Sequence, residues 1–310
     1  MGVWVSAGDS RFLKYSFDAR RYIDSFTIAG AVIDPLSDIS VQDSLLYVLN
    51  EPERQIEQYH IRKPERRIYK SSDSCKLYSI HTPLHINPQG VSFSYFFPRL
   101  RLSVEEERKQ YFQSRVLAAY ELKDSNISVQ WKTGAFPAIY HERFFAEIYP
   151  IATEVDDQHV AYVFSKDPVM YLAGKDEVVS HAVEGLPANQ LKDMGENKAG
   201  AKLGDKNRFW LENELYMHLL YDPVSRSYLL FQQHEIPAEN EEGDLNLYED
   251  HSFSIYIINK DFKVVGQKKF NRIGDLRVVY ACFYNHTLYL PRMQEKSKQL
   301  VYEIYKIKPV

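Results

Sequence analysis

Three stretches of this chain repeat one design: an alternating, tyrosine-rich strand, a tight polar turn, and a second alternating strand. The first runs from Ser44 to Ile61, with Leu45, Tyr47 and Leu49, a turn at Asn50-Glu51-Pro52-Glu53, then Ile56, Gln58, Tyr59 and Ile61. The second runs from Leu215 to Phe231 around Tyr221-Asp222-Pro223, and the third from Ile255 to Phe270 around Asn259-Lys260-Asp261. A period of two in aromatic and β-branched residues marks strands on a pleated, half-buried surface. Asn, Asp and Pro supply the backbone conformations that reverse the chain. Such a chain is confined to architectures of many short antiparallel strands, and its 23 Tyr and 17 Phe supply the apolar bulk to pack them.

The same reading extends from Phe12–Phe17 and Tyr22–Ile28 to Val278–Tyr284, Leu288–Pro291 and Leu300–Ile307. It gives roughly 20 to 24 strands. Only Val104–Gln113 reads as a helix, with Ser103 as its N-cap and acids in its first turn. A sandwich rarely needs so many strands, whereas a β-propeller absorbs about four per blade. The expected fold is therefore all-β: a single propeller domain over residues 1–310, six blades fitting best and five or seven being compatible. The ring is expected to close by pairing Phe12–Phe17 with the C-terminal blade at Leu300–Ile307, which hides sheet edges. Residues 187–207, rich in Gly and Lys, and residues 238–250, rich in Glu and Asp, read as irregular surface loops.

Several classes of chemistry lack support. The net charge is −4 and the basic residues are spread along the chain, so no concentrated surface for nucleic acid is expected. No run of about 18 apolar residues predicts a transmembrane helix. The N-terminus has no signal-peptide pattern, although a removed leader would leave the same picture. Cys75 and Cys282 stand far apart and read as free thiols. Cys75, His81 and His85 share a segment, but Pro83 separates the histidines and no fourth zinc ligand is evident. His141-Glu142-Arg143-Phe144-Phe145 opens like a metalloprotease helix, yet Phe145 stands where the second histidine is required. Asp244–Glu249 opens like a calcium loop, yet Glu249 takes the position that needs Gly. No cofactor is expected, loose calcium at the acidic loop aside. No nucleophile elbow or phosphate-binding glycine loop occurs.

Recognition by aromatic platforms is the remaining class. Trp131, Tyr140 and Tyr216 stand at or near strand ends, where flat rings with a few polar neighbours accept sugars or peptides. His141, His218 and Asp222 are the polar candidates beside them, although Asp is also the ordinary turn residue. His218 and His234, on paired strands of one hairpin, also read as structural histidines. The ligand is expected over the central channel, where loops from every blade converge.

Leu219-Leu220-Tyr221-Asp222-Pro223 with Tyr228, and Ile257-Ile258-Asn259-Lys260-Asp261-Phe262-Lys263-Val264-Val265-Gly266, resemble hairpins of a Bacteroidales family of uncharacterised propeller lipoproteins. Phe136-Pro137-Ala138-Ile139-Tyr140 and the pairing of Leu288-Tyr289-Leu290 with Tyr302-Glu303-Ile304 are similar too. The resemblance covers most of the chain from about Ile39 onward. It implies a six-bladed-propeller-like protein, exported and lipid-anchored at the cell envelope, of unknown activity. The chain departs from the pattern with Ser227-Tyr228-Leu229-Leu230, where relatives tend to carry Tyr-Arg, and it shows no lipid-bearing N-terminal cysteine. Lipid anchoring thus requires a removed leader; otherwise the protein is expected to be soluble. The expected function is that of an envelope-associated binding or scaffold propeller rather than an enzyme, with a carbohydrate, a peptide or an envelope protein as partner. The alternative is a glycan-binding or glycoside-hydrolase-like propeller that uses channel-mouth carboxylates.

Overall fold

A computed structural model describes residues 2–6, 11–16, 21–28, 39–42, 44–50, 53–71, 86, 91–95, 100–102, 104–143, 145, 149–165, 167–187, 203–294 and 299–308. The described residues form 21 strands and three α-helices. Two compact units divide them: residues 1–99 with 117–132, and residues 100–116 with 133–310.

The first unit holds two sheets. One is the meander of β1 (Gly2–Ser6), β2 (Arg11–Ser16) and β3 (Arg21–Thr27). The other begins with β4 (Ile39–Gln42), β5 (Leu45–Asn50), β6 (Gln55–His60) and β7 (Arg66–Ser71). It continues through β8 (Val91–Tyr95), β9 (Leu117–Lys123) and β10 (Asn126–Thr133). This seven-stranded sheet is two meanders joined by a short parallel contact, Asn126 opposite Lys70 and Ile127 opposite Ser71.

The second unit carries the helices α1 (Glu105–Gln113), α2 (Ile139–Glu142) and α3 (Leu203–Leu211). Its sheets are β11 (Ile151–Asp156) to β12 (His159–Val163), β13 (Val169–Ala173) and β14 (Val178–Ala182); then β15 (Leu215–Asp222) to β16 (Ser227–Gln233), β17 (Phe253–Ile258) and β18 (Val264–Phe270); then β19 (Cys282–Tyr284), β20 (Thr287–Gln294) and β21 (Gln299–Lys306). Each sheet is an antiparallel meander in chain order. The first strands of successive sheets stand together, β11 beside β15 and β15 beside β19. The last strand, β14, is the most exposed of its sheet. That is the layout of propeller blades.

The period of two explains how these blades stack. Along β16, Tyr228 and Leu230 enter the apolar layer shared with β11–β14, while Leu229 and Phe231 enter the layer shared with β19–β20. In β17, Tyr256 and Ile258 face the first layer, and Phe253 and Ile255 the second. Alternate side chains point to opposite faces, so a middle strand buried on both sides is apolar throughout. Each such side chain contributes roughly 1.5–3 kcal/mol on burial. The tyrosines are therefore largely mortar between blades.

Several expectations are corrected here. Val104, not Ser103, holds the N-cap position of α1, and it offers no side-chain bond. Helices α2 and α3 were not anticipated; α3 takes up the end of the stretch 187–207 that read as irregular, while residues 188–202 lie outside the described residues. Residues Val278–Tyr280 form a 3-10 turn, and the strand starts only at Cys282. The cause is upstream: Leu276 bridges Arg292, and the N–H of Arg277 donates to Pro291, so the chain reaches β20 early and must turn before β19. Finally, β2 is flanked on both edges by β1 and β3, and among the described residues β21 pairs with β20 alone. Both sides of β2 are occupied, so the expected direct pairing of Phe12–Phe17 with Leu300–Ile307 is not among the described ladders. Residues 238–250 carry a Glu239–Leu245 bridge and a 3-10 turn at Tyr248–Asp250.

Candidate functional site

Meander topology gives the second unit two unlike ends. One end collects tight turns, and Asp222 is its fastener. The buried carboxylate accepts the N–H groups of Val224 (3.1 Å) and Ser225 (3.3 Å) from its own turn, and the Ser225 hydroxyl at 2.7 Å. It also accepts the N–H groups of Asn285 (3.0 Å) and His286 (2.9 Å) from the turn of the next sheet. Burial alone would raise its pKa; the donors from His286, Ser225, Asn285 and Val224 outweigh burial and hold it below the ordinary value. Asn259 does similar work in the third hairpin, its side chain accepting the N–H groups of Asp261 and Lys263 at 3.0 Å each.

The opposite end carries the long connections, 234–252 between β16 and β17 and 271–281 between β18 and β19. Here lies a cleft of about 1160 Å³, lined by Leu247, Asp250, Phe270, Arg272, Arg277 and Arg292 among others. Its walls are tied by main-chain bonds: the N–H of Ile273 donates to His251 (2.7 Å) and that of Gly274 to Glu249 (2.8 Å). Arg272 pairs with Asp250 at 2.5 Å, and Arg292 pairs with Asp275 and with Glu303. For Glu303, burial raises the pKa, but Tyr305 and Arg292 win and hold it low. Asp250 is held low first by the Leu247 N–H and further by Arg272. Arg277 lines the same cleft, and no ion pair engages its guanidinium among the described residues. Tyr248 and Tyr280 are exposed nearby on the same connections.

A polar row crosses the same end. The last turn of α3 leaves carbonyls without helical partners; Asn213 caps Phe209 (2.7 Å) and Gln233 caps Trp210 (2.7 Å). That fixes Glu214 at the head of β15. His234 Nδ1 lies 3.2 Å from Glu214, and His234 Nε2 lies 2.8 Å from the Ser254 hydroxyl. Gln267 donates to the same Ser254 oxygen at 3.2 Å, and Tyr256 donates to Gln232 at 2.9 Å. The order carboxylate, imidazole, hydroxyl matches a nucleophile relay. Ser254 is fully buried and already bonded, however, so the row holds the heads of three strands in register.

The candidates named from sequence are scattered. Trp131 is half-buried on β10 of the first unit. Tyr140 is buried among Phe112, Phe136, Phe145 and Phe164, with ring centroids 5.2 to 6.1 Å away. His141 is exposed on α2. Tyr216 and His218 are buried on β15 either side of a bulge, His218 against Phe231. Asp222 is the fastener at the tight-turn end. Cys75, His81 and His85 lie outside the described residues. Among the described residues no three His, Cys, Asp or Glu side chains are grouped to hold a metal ion, and no helix is long and apolar enough to cross a membrane. Sequence reasoning missed Arg277, Glu214 and Ser254. Their signal is spatial, since each comes from a different strand or connection.

Successive meanders stacked through apolar layers define a protein of the β-propeller class. The chain matches the crystal structure of a member of the DUF4221 family from Bacteroides vulgatus with a TM-score of 0.68, at 12% sequence identity, over 98% of this chain and 92% of that one. A putative exported protein from Bacteroides fragilis matches with a TM-score of 0.46 at 9% identity, over 93% of this chain and 75% of that one. The β-propeller domain of a Myceliophteria thermophila protein matches with a TM-score of 0.45 at 8% identity, over 99% of this chain and 94% of that one. At such identities the first likeness speaks for the fold alone. No family model matches the chain, and no curated protein matches it in sequence.

Proposed function

We propose that this chain is a single propeller domain of six blades that binds a partner rather than transforming a substrate, its ligand taken on the long-connection face of the second unit, in the cleft beside the ends of β18 and β20. Six consecutive meanders support the blade number, once the two halves of the seven-stranded sheet are counted separately. The observation that carries the binding reading is Arg277: a guanidinium in a cleft of about 1160 Å³ whose other arginines are matched with carboxylates. An arginine left open in a cleft is a ready partner for a carboxylate, a phosphate or an aromatic face. The cleft carboxylates Asp250 and Asp275 are held in ion pairs with Arg272 and Arg292, and the pKa of Asp250 is held low, the opposite of what a proton donor needs. Envelope association and a lipid anchor form part of this reading on the strength of the hairpin resemblance, with a carbohydrate, peptide or envelope protein as partner.

Titration of the full chain against a panel of acidic and neutral glycans and peptides tests it. Arg277→Ala is expected to lower affinity for the best binder about 10-fold while leaving the melting temperature unchanged. Unchanged affinity would remove the cleft from the reading, and cleavage of a panel member would replace binding with catalysis.

A further inference from the structure

The arginine cleft is lined from two connections that also gather exposed apolar side chains. Leu245, Leu247 and Tyr248 stand exposed on 234–252, and Val279 and Tyr280 on 271–281. They are five of the ten large apolar side chains exposed among the described residues, so the apolar surface is gathered here rather than scattered. A single exposed apolar side chain is ordinary, whereas a gathered set marks a place that another molecule covers.

The set is held in place from beneath. The Tyr248 hydroxyl donates to Met217 Sδ at 3.4 Å, and Met217 packs in the apolar layer that Val278 and Ala281 enter. The N–H of Tyr280 donates to the Arg277 carbonyl at 3.0 Å, a turn that keeps Val279 and Tyr280 next to the arginine. With the main-chain bonds from Ile273 to His251 and from Gly274 to Glu249, the two connections form one surface. Little of it has to be ordered when a ligand arrives, which favours affinity.

Charge decides the ligand class. Arg272, Arg277 and Arg292 line the cleft, and so do the carboxylates Glu249, Asp250 and Asp275. Asp250 matches Arg272, and Asp275 matches Arg292. One guanidinium, Arg277, and one carboxylate, Glu249, are left without an ion pair among the described residues. A polyanion would gain one partner in Arg277 and be repelled by the acids around it. A single carboxylate pairs with Arg277 without that penalty, and apolar groups on either side of it cover the exposed rings and leucines. Tyrosines beside an arginine are also the composition in which protein-binding energy concentrates.

We propose that this surface docks a segment of a partner protein that carries one acidic residue between bulky apolar ones, with the carboxylate on Arg277 and the apolar side chains on Leu247, Tyr248 and Tyr280. The proposal rests on the binding reading above and narrows its partner to a protein segment.

Capped synthetic peptides serve as probes in calorimetric titrations of the full chain: Ser-Leu-Asp-Phe-Ser, the same peptide with Asn for Asp, and Ser-Gly-Asp-Gly-Ser. The first is expected to bind, and the other two about 10-fold more weakly. Leu247→Ser and Tyr280→Ser, both at exposed positions, are each expected to weaken the first peptide about 5-fold at an unchanged melting temperature. Equal affinity for the Asp and Asn peptides overturns the proposal, and so does affinity unchanged in both variants. An acidic glycan that binds through Arg277 but is indifferent to Leu247→Ser and Tyr280→Ser overturns the protein segment and leaves the cleft reading standing. Sedimentation that shows the chain pairing with itself, and that pairing lost in the same two variants, makes a second copy the occupant and also overturns it. If no peptide or glycan binds and Arg277→Ala changes nothing across the wider panel, the binding reading itself has failed.

Discussion

Replacing Asp222 removes a carboxylate that joins two turns. In Asp222→Ala, four main-chain N–H groups, those of Val224, Ser225, Asn285 and His286, lose their acceptor, and the Ser225 hydroxyl loses a fifth bond. Water reaches part of this end, so each orphaned donor costs nearer 1 kcal/mol than the full desolvation penalty, and the sum comes to about 3–5 kcal/mol. Asp222→Asn keeps the shape but points an amide N–H₂ at N–H donors, for about 2–3 kcal/mol. The pH dependence separates a charge effect from a packing effect. The folded pKa lies below that of an ordinary aspartate, so the stabilisation is complete above the unfolded-state pKa and is lost as pH falls through the folded pKa. The gap between the parent and Asp222→Asn should be constant from neutral pH down to about pH 5 and should narrow toward about pH 2. Urea unfolding followed by intrinsic fluorescence at a series of pH values measures it. A cost below about 1 kcal/mol for Asp222→Ala, or a gap flat to the lowest pH, would refute the reasoning.

Two further substitutions test the packing. Gly134 has φ +76° and would set a Cβ 2.5 Å from Val116 Cγ2 and 3.1 Å from the Tyr162 hydroxyl, so Gly134→Ala is expected to cost about 2–4 kcal/mol in urea unfolding. Tyr140→Ala empties the centre of an aromatic cluster and is expected to cost about 3–5 kcal/mol while leaving ligand affinity at the Arg277 cleft unchanged, which calorimetry on the refolded variant checks.

The hairpins were legible because their causes are local. In Ile255–Phe270 the alternation, the Asn259 side chain and the positive φ at Phe262 all lie within one short stretch. The β15–β16 hairpin is legible for the same reason, Asp222 opening its own turn. Val278–Tyr284 was misread because its apolar run has strand propensity, while its turn is imposed by distant contacts of residues 276 and 277 with β20. The site was less legible still. Tyr140 and Tyr216 stand near strand ends in sequence, but whether a ring faces solvent or a neighbouring blade depends on how the sheets stack. Glu214, His234 and Ser254 converge only because β15, β16 and β17 are in register.

Where β14 ends, the chain continues onto the neighbouring sheet. The N–H of Glu184 donates to Phe262 at 2.9 Å, the N–H of Val264 donates to Glu184 at 2.8 Å, and the Lys263 ammonium sits 2.7 Å from the Glu184 carboxylate. His181 stacks on Phe262 with ring centroids 3.8 Å apart. The outer strand of a blade is where a foreign segment would add itself, since its outward N–H and C=O groups are the ones left for pairing. Glu184 takes up those groups where β18 begins, and it does so in the parallel sense. A stray strand seeking to extend this sheet would have to displace the protein's own chain at that point, so the link that joins two blades also guards one of them against fibrous self-association.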